Sequence, residues 1–283
     1  MKSLCIKTND SAMTCYLLEQ FQSMDFPNTY LSVKEFCHYK NIILHCKDSN
    51  ETLFIHTVSN ILTKSILLFL ENVLMKDMIN LQYFYFNTYE KNKIFEHTLS
   101  LLNTSDNTTI KYDLLNNALF DYLSNHHSFY VKAFVEFRLP HYQNFISETI
   151  ETAVNQFLID KEYSEFINIL RLYIQSETSE QNIKHLHVIY HNHHSTIIND
   201  DKEIITCNDN ITKAKYISDI SFSSNDLALN TLLNLLPQKI TIHLVDSFID
   251  EFINTLQLIF QDKIEICEDC NICQVYRFQK IEP

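Results

Sequence analysis

The 283-residue sequence contains no glycine. Glycine lets a backbone adopt positive φ, or approach a phosphate, without a Cβ in the way. Dinucleotide-binding G-x-G-x-x-G turns, Walker-type phosphate loops and G-x-S-x-G nucleophile elbows all depend on that freedom. These three kinds of site are therefore excluded. We expect asparagine and aspartate to occupy the left-handed positions of the turns instead.

Positive charge is also scarce. Lysine and arginine together number 22 against 35 acidic residues, which gives a formal net charge of −13, and there is no concentrated basic patch. A surface of this sign repels nucleic-acid backbones and anionic lipid headgroups. We therefore expect no nucleic-acid partner and no membrane partner, and an unidentified protein remains as the expected partner.

Long hydrophobic runs are missing as well. The longest apolar stretch, 61–74, is interrupted by Lys64 and Glu71, so it predicts a buried helix and no membrane span. The first residues lack the apolar core of a signal peptide. We expect a cytoplasmic protein whose eight cysteines are reduced.

The spacing of apolar residues along the sequence predicts an α+β (or α/β) fold with a helical central region and a small C-terminal α/β domain. Residues 1–105 mix helical and strand patterns, and residues 106–180 are almost entirely helical in spacing. Residues 181–283 change to strands alternating with helices. These three regions are the predicted domains.

The C-terminal domain is predicted to contain a βαβ unit. Residues 239–244 and 264–267 alternate like buried strands, and apolar residues between 249 and 259 recur at helical spacing. A single helix between two strands returns the chain to its starting edge, so the two strands should be parallel.

Two local signals precede that unit. Residues 185–190 and 195–198 predict a β-hairpin. Ser223 and Asp226, three residues apart, predict the capping box of a helix that stops at Pro237.

A resemblance rests on an ordered string of four segments: Phe-Val-Glu-Phe-Arg-Leu at 134–139, Lys-Glu-Tyr-Ser-Glu-Phe-Ile-Asn-Ile-Leu-Arg at 161–171, Leu-Pro-Gln-Lys-Ile-Thr-Ile-His at 236–243, and Cys-Glu-Asp-Cys-Asn-Ile-Cys at 267–273. Over about residues 130–273 the chain resembles the YtxC-like family. The resemblance implies an endospore-forming bacterium and a link to sporulation, and it supplies no reaction or catalytic residue. It favours a non-enzymatic cytoplasmic protein that acts by protein–protein contact.

The cysteines at 267, 270 and 273 are the strongest chemical signal and support an alternative function, a metal-binding or redox module. Thiolates three residues apart in a turn can converge on zinc or an iron–sulfur cluster, and sulfurs sharing one ion would lie about 3.5–4 Å apart. The ferredoxin pattern lacks its next cysteine, since Arg277 stands there. Zinc needs a fourth ligand, for which Cys207 or a histidine is available. The alternative to a metal site is three reduced cysteines in a tight turn.

Histidines form the second chemical signal. Five lie close together in sequence: His185, His187, His191, His193 and His194. The first two share one face of a strand and could hold a metal, although no carboxylate or cysteine lies at ligand spacing beside them. His243 ends a predicted strand, at the edge where α/β proteins bind ligands.

The scarcity of arginine suggests a structural use for it. Arg138 and Arg171 are two of only three arginines. A planar guanidinium fork suits carboxylates in a way that lysine cannot imitate. We expect at least one of the two to pair with a carboxylate, and Glu162 and Glu165 are the leading candidates.

Overall fold

The computed structural model describes five stretches of the chain: 2–24, 28–47, 50–176, 183–205 and 223–278. The chain forms two compact units, Met1–Asp160 and Lys161–Pro283, called here the N-terminal and C-terminal units. Each contains a four-stranded mixed sheet and helices, so the predicted α+β class is confirmed. The three predicted regions, 1–105, 106–180 and 181–283, remain a prediction.

The N-terminal unit has a sheet of order β2-β3-β1-β4, in which β1 runs antiparallel to β3 and parallel to β4. Its strands are β1 Lys2–Thr8, β2 Thr29–Glu35, β3 Lys40–Cys46 and β4 Ser128–Tyr130. Its helices are α1 Ser11–Gln22, α2 Glu51–Phe69, α3 Glu71–Gln82, α4 Thr88–Leu102, α5 Ser105–Asn125 and α6 Val131–Phe137. Helix α7, Pro140–Ser176, begins in this unit and ends in the next.

Helix α2 is long and apolar enough to cross a membrane by length and composition. Its residues Phe54, Val58, Leu62 and Ile66 are fully buried in the main core of the N-terminal unit. Core helices share this composition with spanning helices, and 44% of the most apolar window of α2 is buried within the protein.

The C-terminal unit has a sheet of order β6-β5-β7-β8. Its strands are β5 His185–His191, β6 His194–Ile198, β7 Lys239–Leu244 and β8 Ile264–Cys267. Its helices are α8 Ser224–Leu235, α9 Glu251–Phe260, a 3-10 turn Gln261–Lys263 and α10 Asn271–Phe278. Strands β5, β7 and β8 are parallel and β6 is antiparallel to β5, which confirms both the predicted βαβ unit and the predicted hairpin.

The two faces of this sheet differ sharply. On one face alternate residues such as Leu186, Val188, Ile240 and Ile242 are fully buried in an apolar core with α8 and α9. Residues one position along each strand point the other way. That opposite side, the polar face, carries these residues: His185, His187, Thr241, His243 and Cys267.

Positive φ angles occur where the chain turns, whatever the type of residue at that position. The described residues with positive φ are Asn28, Asn192, His193, Lys202, Leu236, Ser247 and Gln261. The expectation of asparagine and aspartate holds for two of them and is wrong for the rest. Without glycine, the turn geometry has imposed positive φ on whichever residue stands there, at a cost of about 1–2 kcal/mol for each residue other than asparagine.

The predicted arginine–carboxylate pair is wrong for the described residues. The Nε of Arg171 donates to the carbonyl of Leu258 at 2.6 Å. The Oε1 of Glu165 lies 4.0 Å from the Nζ of Lys161. In the stretches that the structure describes, no carboxylate lies within ion-pair distance of Arg138 or Arg171. A backbone carbonyl competes for the guanidinium because α9 places it there, and sequence spacing carries no information about that.

A buried charged group lies in the N-terminal unit. The Nζ of Lys111 lies 2.8 Å from the Oε1 of Glu71, and the hydroxyl of Tyr142 donates to Glu71 Oε2 at 2.6 Å. All three side chains are almost completely buried. Burial, together with the charge and hydrogen bond of Glu71, raises the pKa of Tyr142 far above its usual range. The network links α3, α5 and α7.

Replacing Lys111 by methionine should therefore be strongly destabilising. The substitution keeps the volume and leaves the Glu71 carboxylate without its counter-charge, which costs about 3–5 kcal/mol of unfolding free energy. Urea unfolding followed by circular dichroism measures it. Lys93→Met, which removes the exposed pair with Glu96, is the matched control and should change little. Equal effects of the two substitutions would contradict this account.

Candidate metal centre

The parallel pairing of β7 with β8 places His243 directly beside Cys267 on the polar face. The chain then turns after Cys267 and begins α10 at Asn271. The amide of Gln274 donates to the carbonyl of Cys270 at 2.9 Å, so Cys270 lies at the first turn of that helix and Cys273 lies within it. The strand ends and the helix start thus bring one imidazole and three thiols together.

The four ligand atoms of His243, Cys267, Cys270 and Cys273 all lie within 4.8 Å of one another. Cys273 Sγ is 3.9 Å from Cys267 Sγ and 3.7 Å from Cys270 Sγ. His243 Nδ1 is 3.3 Å from Cys270 Sγ and 3.6 Å from Cys273 Sγ. A tetrahedral zinc ion requires about 3.8 Å between sulfurs and about 3.6 Å from sulfur to nitrogen. These two pairs of sulfurs meet the predicted spacing of about 3.5–4 Å. His243 adds a nitrogen at a similar distance from Cys270 and Cys273.

The protonation states of the four side chains differ. Burial, reinforced by His187 and His185, lowers the pKa of His243 to about 4, so its imidazole is neutral at pH 7. Burial raises the pKa of Cys267 to about 12 and also raises that of Cys273. Burial also tends to raise the pKa of Cys270. Hydrogen bonds from the Cys273 amide and from the two neighbouring thiols outweigh burial, so the pKa of Cys270 is lowered.

Of the three thiols Cys270 is therefore the one that ionises most readily, and it lies at the positive end of α10. Further thiolates are disfavoured because they would repel it at close range. A divalent cation among the sulfurs would remove that obstacle by displacing the remaining thiol protons.

Arg277 holds α10 against the sheet. Its Nε donates to the carbonyl of Val245 at 2.8 Å, and its Nη2 donates to the carbonyl of Glu268 at 2.7 Å. The first carbonyl follows β7 and the second belongs to the cysteine turn. The residue that stands where a ferredoxin would have a cysteine thus clamps the cysteine turn, a role that the sequence did not suggest.

A second group lies on the same polar face. Asp200 Oδ1 is 2.9 Å from His185 Nδ1 and 3.1 Å from His187 Nε2. The carboxylate missing from the sequence pattern comes from beyond β6, because the antiparallel hairpin folds Asp200 back beside β5. The two groups touch, since His187 Nδ1 is 3.0 Å from His243 Nε2.

The remaining histidines of the sequence cluster have other partners. His191 Nε2 lies 3.4 Å from Asp246 Oδ1, and His193 Nδ1 lies 3.3 Å from Asp250 Oδ2. His194 Nδ1 is 3.1 Å from the hydroxyl of Ser224. Cys207, the other suggested fourth ligand, lies outside the described residues.

Comparison with known proteins gives one match. A family model described as the YtxC-like family matches residues 56–265. No curated protein and no solved structure matches the chain. The match begins well before residue 130, where the resemblance in the sequence begins, and it ends just before Cys267. The case for the cysteine group therefore rests on its geometry.

Arg277→Met should loosen the cysteine turn. Losing two charge-assisted hydrogen bonds to backbone carbonyls should lower the unfolding free energy by about 1–2 kcal/mol, as urea titration measures. Amide hydrogen exchange should accelerate around Glu268. Lys239→Met, which removes an exposed pair with Glu265, serves as the control and should leave both readouts almost unchanged. Identical behaviour of the two variants would rule out the clamp.

Proposed function

The chain belongs to the YtxC-like family, and we propose that its C-terminal unit binds one zinc ion through His243, Cys267, Cys270 and Cys273. One observation carries the proposal. Two sulfur–sulfur distances of 3.7 and 3.9 Å and two sulfur–nitrogen distances of 3.3 and 3.6 Å are close to those that a single tetrahedral ion requires, and all four ligand atoms lie within 4.8 Å of one another.

Zinc fits this group better than an iron–sulfur cluster. In a four-iron cluster each cysteine ligates a different iron, so the sulfurs have to stand farther apart than around one ion. Here neighbouring sulfurs lie 3.7 and 3.9 Å apart. Three thiolates and one neutral imidazole form a Cys₃His set, which is typical of structural zinc.

The proposed role of the ion is structural. Four protein ligands complete a tetrahedron and leave no position for a substrate or a reactive water. Cys273 is fully buried, His243 is 3% exposed, and Cys267 and Cys270 are half-buried, so the ion would be shielded from solvent on one side. It would join the carboxyl ends of β7 and β8 to α10, on a face of the sheet where apolar packing is limited to a small cluster.

We further propose a cytoplasmic, sporulation-associated role carried out by contact with another protein. The resemblance described from the sequence supports the link to sporulation. A row of exposed apolar side chains on α7 supports the contact: Phe166, Ile169 and Leu172 are 49%, 63% and 64% exposed. Adjacent exposed apolar residues of this kind are typical of interaction sites.

Zinc binding is tested by purifying the full-length chain under reducing conditions and measuring bound metal by mass spectrometry. We expect one zinc per chain. Cys273→Ser and His243→Ala should lose the metal, because either change removes one of four ligands. Cobalt substitution should give the strong visible absorption of a tetrahedral thiolate site. Cys15→Ser and Cys37→Ser, at exposed cysteines of the other unit, are controls that should retain zinc. Metal-free protein after growth with added zinc would overturn the proposal.

The contact role is tested by complementation. A strain lacking the gene should form fewer heat-resistant spores, and the double variant Ile169→Lys with Leu172→Lys should fail to restore them because charge disrupts an apolar contact. Glu162→Gln, an exposed polar change on the same helix, should restore them fully. Normal sporulation of the deletion strain would contradict the proposed role.

A further inference from the structure

A continuous line of polar contacts crosses the polar face from the cysteines to the surface. Cys270 Sγ lies 3.3 Å from His243 Nδ1, and His243 Nε2 lies 3.0 Å from His187 Nδ1. His187 Nε2 then lies 3.1 Å from Asp200 Oδ1. The line thus runs from a thiol through a buried imidazole to a carboxylate that is 64% exposed.

The placement of protons along this line follows from His243. A neutral imidazole carries one proton, so a His243 that ligates zinc through Nδ1 must carry its proton on Nε2. That proton is donated to His187 Nδ1, which leaves the proton of His187 on Nε2, facing Asp200. Each donor on this path then meets an acceptor.

The neighbouring imidazole completes the same pattern. His185 Nδ1 faces Asp200 Oδ1 at 2.9 Å, and its Nε2 faces the hydroxyl of Thr241 at 2.8 Å. With its proton on Nδ1, His185 donates to the carboxylate and accepts from the hydroxyl. Asp200 consequently holds both imidazoles of β5 in one orientation.

We infer that His187 and Asp200 are positioning residues for the zinc ligand His243, and that His187 fixes the tautomer in which His243 Nδ1 is free to bind the ion. The inference rests on the proposed zinc site. Metal-ligating histidines commonly donate their second N–H to a fixed acceptor, which orients the ring and makes it a better ligand. Here the acceptor is a second imidazole, itself held by a carboxylate.

The same geometry argues against an independent metal ion at His185, His187 and Asp200, although their ligand atoms lie within 4.8 Å of one another. Coordination through His187 Nε2 would move the proton of His187 to Nδ1, where it points at His243 Nε2. His243 would then have to carry its own proton on Nδ1, between the thiols. With neutral imidazoles only one of the two groups can hold a metal, and the Cys₃His set is the complete one.

Substitution at position 187 tests the positioning role in the full-length chain. His187→Ala should weaken zinc binding by about 10–100-fold in chelator competition, because the His243 N–H loses its acceptor. His187→Asn should recover most of the affinity, since the asparagine oxygen can take the place of Nδ1 as acceptor. Asp200→Ala should weaken binding by about 10-fold. His191→Ala, on the same strand and paired with Asp246, is the matched control and should bind like the parent.

Two spectroscopic readouts separate positioning from general damage to the fold. In the cobalt form, His187→Ala should shift the ligand-field absorption while His191→Ala leaves it unchanged. In the zinc form of the parent chain, nitrogen-15 NMR should place protons on Nε2 of His243, Nε2 of His187 and Nδ1 of His185.

Several outcomes would overturn the inference. A proton on His243 Nδ1 in the zinc form would do so even if His187→Ala does not fold, because that measurement uses the parent chain. Two metal ions per chain, or His187→Asn behaving like His187→Ala, would also overturn it. A parent chain that binds no zinc at all would overturn the proposed function and this inference together, whereas normal zinc binding with a different tautomer would overturn this inference alone.

Discussion

The C-terminal unit depends on the parallel pairing of β7 with β8. In that register His243 and Cys267 are direct neighbours, and the pairing of β5 with β7 sets Thr241 beside His187. Side chains alternate between the faces of a sheet, so a slip of one residue would turn the imidazole into the apolar core and expose Ile242. Burial of that core therefore also fixes the positions of the proposed ligands.

Apolar packing stabilises one face of the sheet, and polar contacts stabilise the other. Parallel strands are usually apolar on both sides, because helices cover both. Here α8 and α9 cover one side with apolar contacts, while the polar face is held by imidazoles, thiols and carboxylates around a small cluster that includes Ile189 and Val245. A bound ion and its hydrogen-bonded histidines would take the place of the missing apolar packing, since a satisfied polar network can hold a face that hydrophobic burial does not.

The absence of glycine affects the loops at the carboxyl ends of β5 and β7. Asn192 and His193 adopt positive φ in the hairpin turn, and Ser247 does so after β7. Carboxylates stabilise these loops: Asp246 accepts from the Asn192 amide at 2.8 Å, and Asp250 accepts from the hydroxyl of Tyr190 and from the first turn of α9. Side-chain hydrogen bonds thus offset conformations that glycine would adopt at lower cost.

The local elements follow from the amino-acid sequence, because periodicity and capping depend on near neighbours. The hairpin, the βαβ unit, the capping box of Ser223 and Asp226, and the convergence of Cys267, Cys270 and Cys273 could all be predicted. Which distant groups meet depends on the way the strands and helices pack in three dimensions. This packing selected His243 as the neighbour of the thiols, brought Asp200 to His187, and gave Arg171 a carbonyl in place of a carboxylate. Strand register and helix placement set those contacts, and spacing along the chain encodes neither.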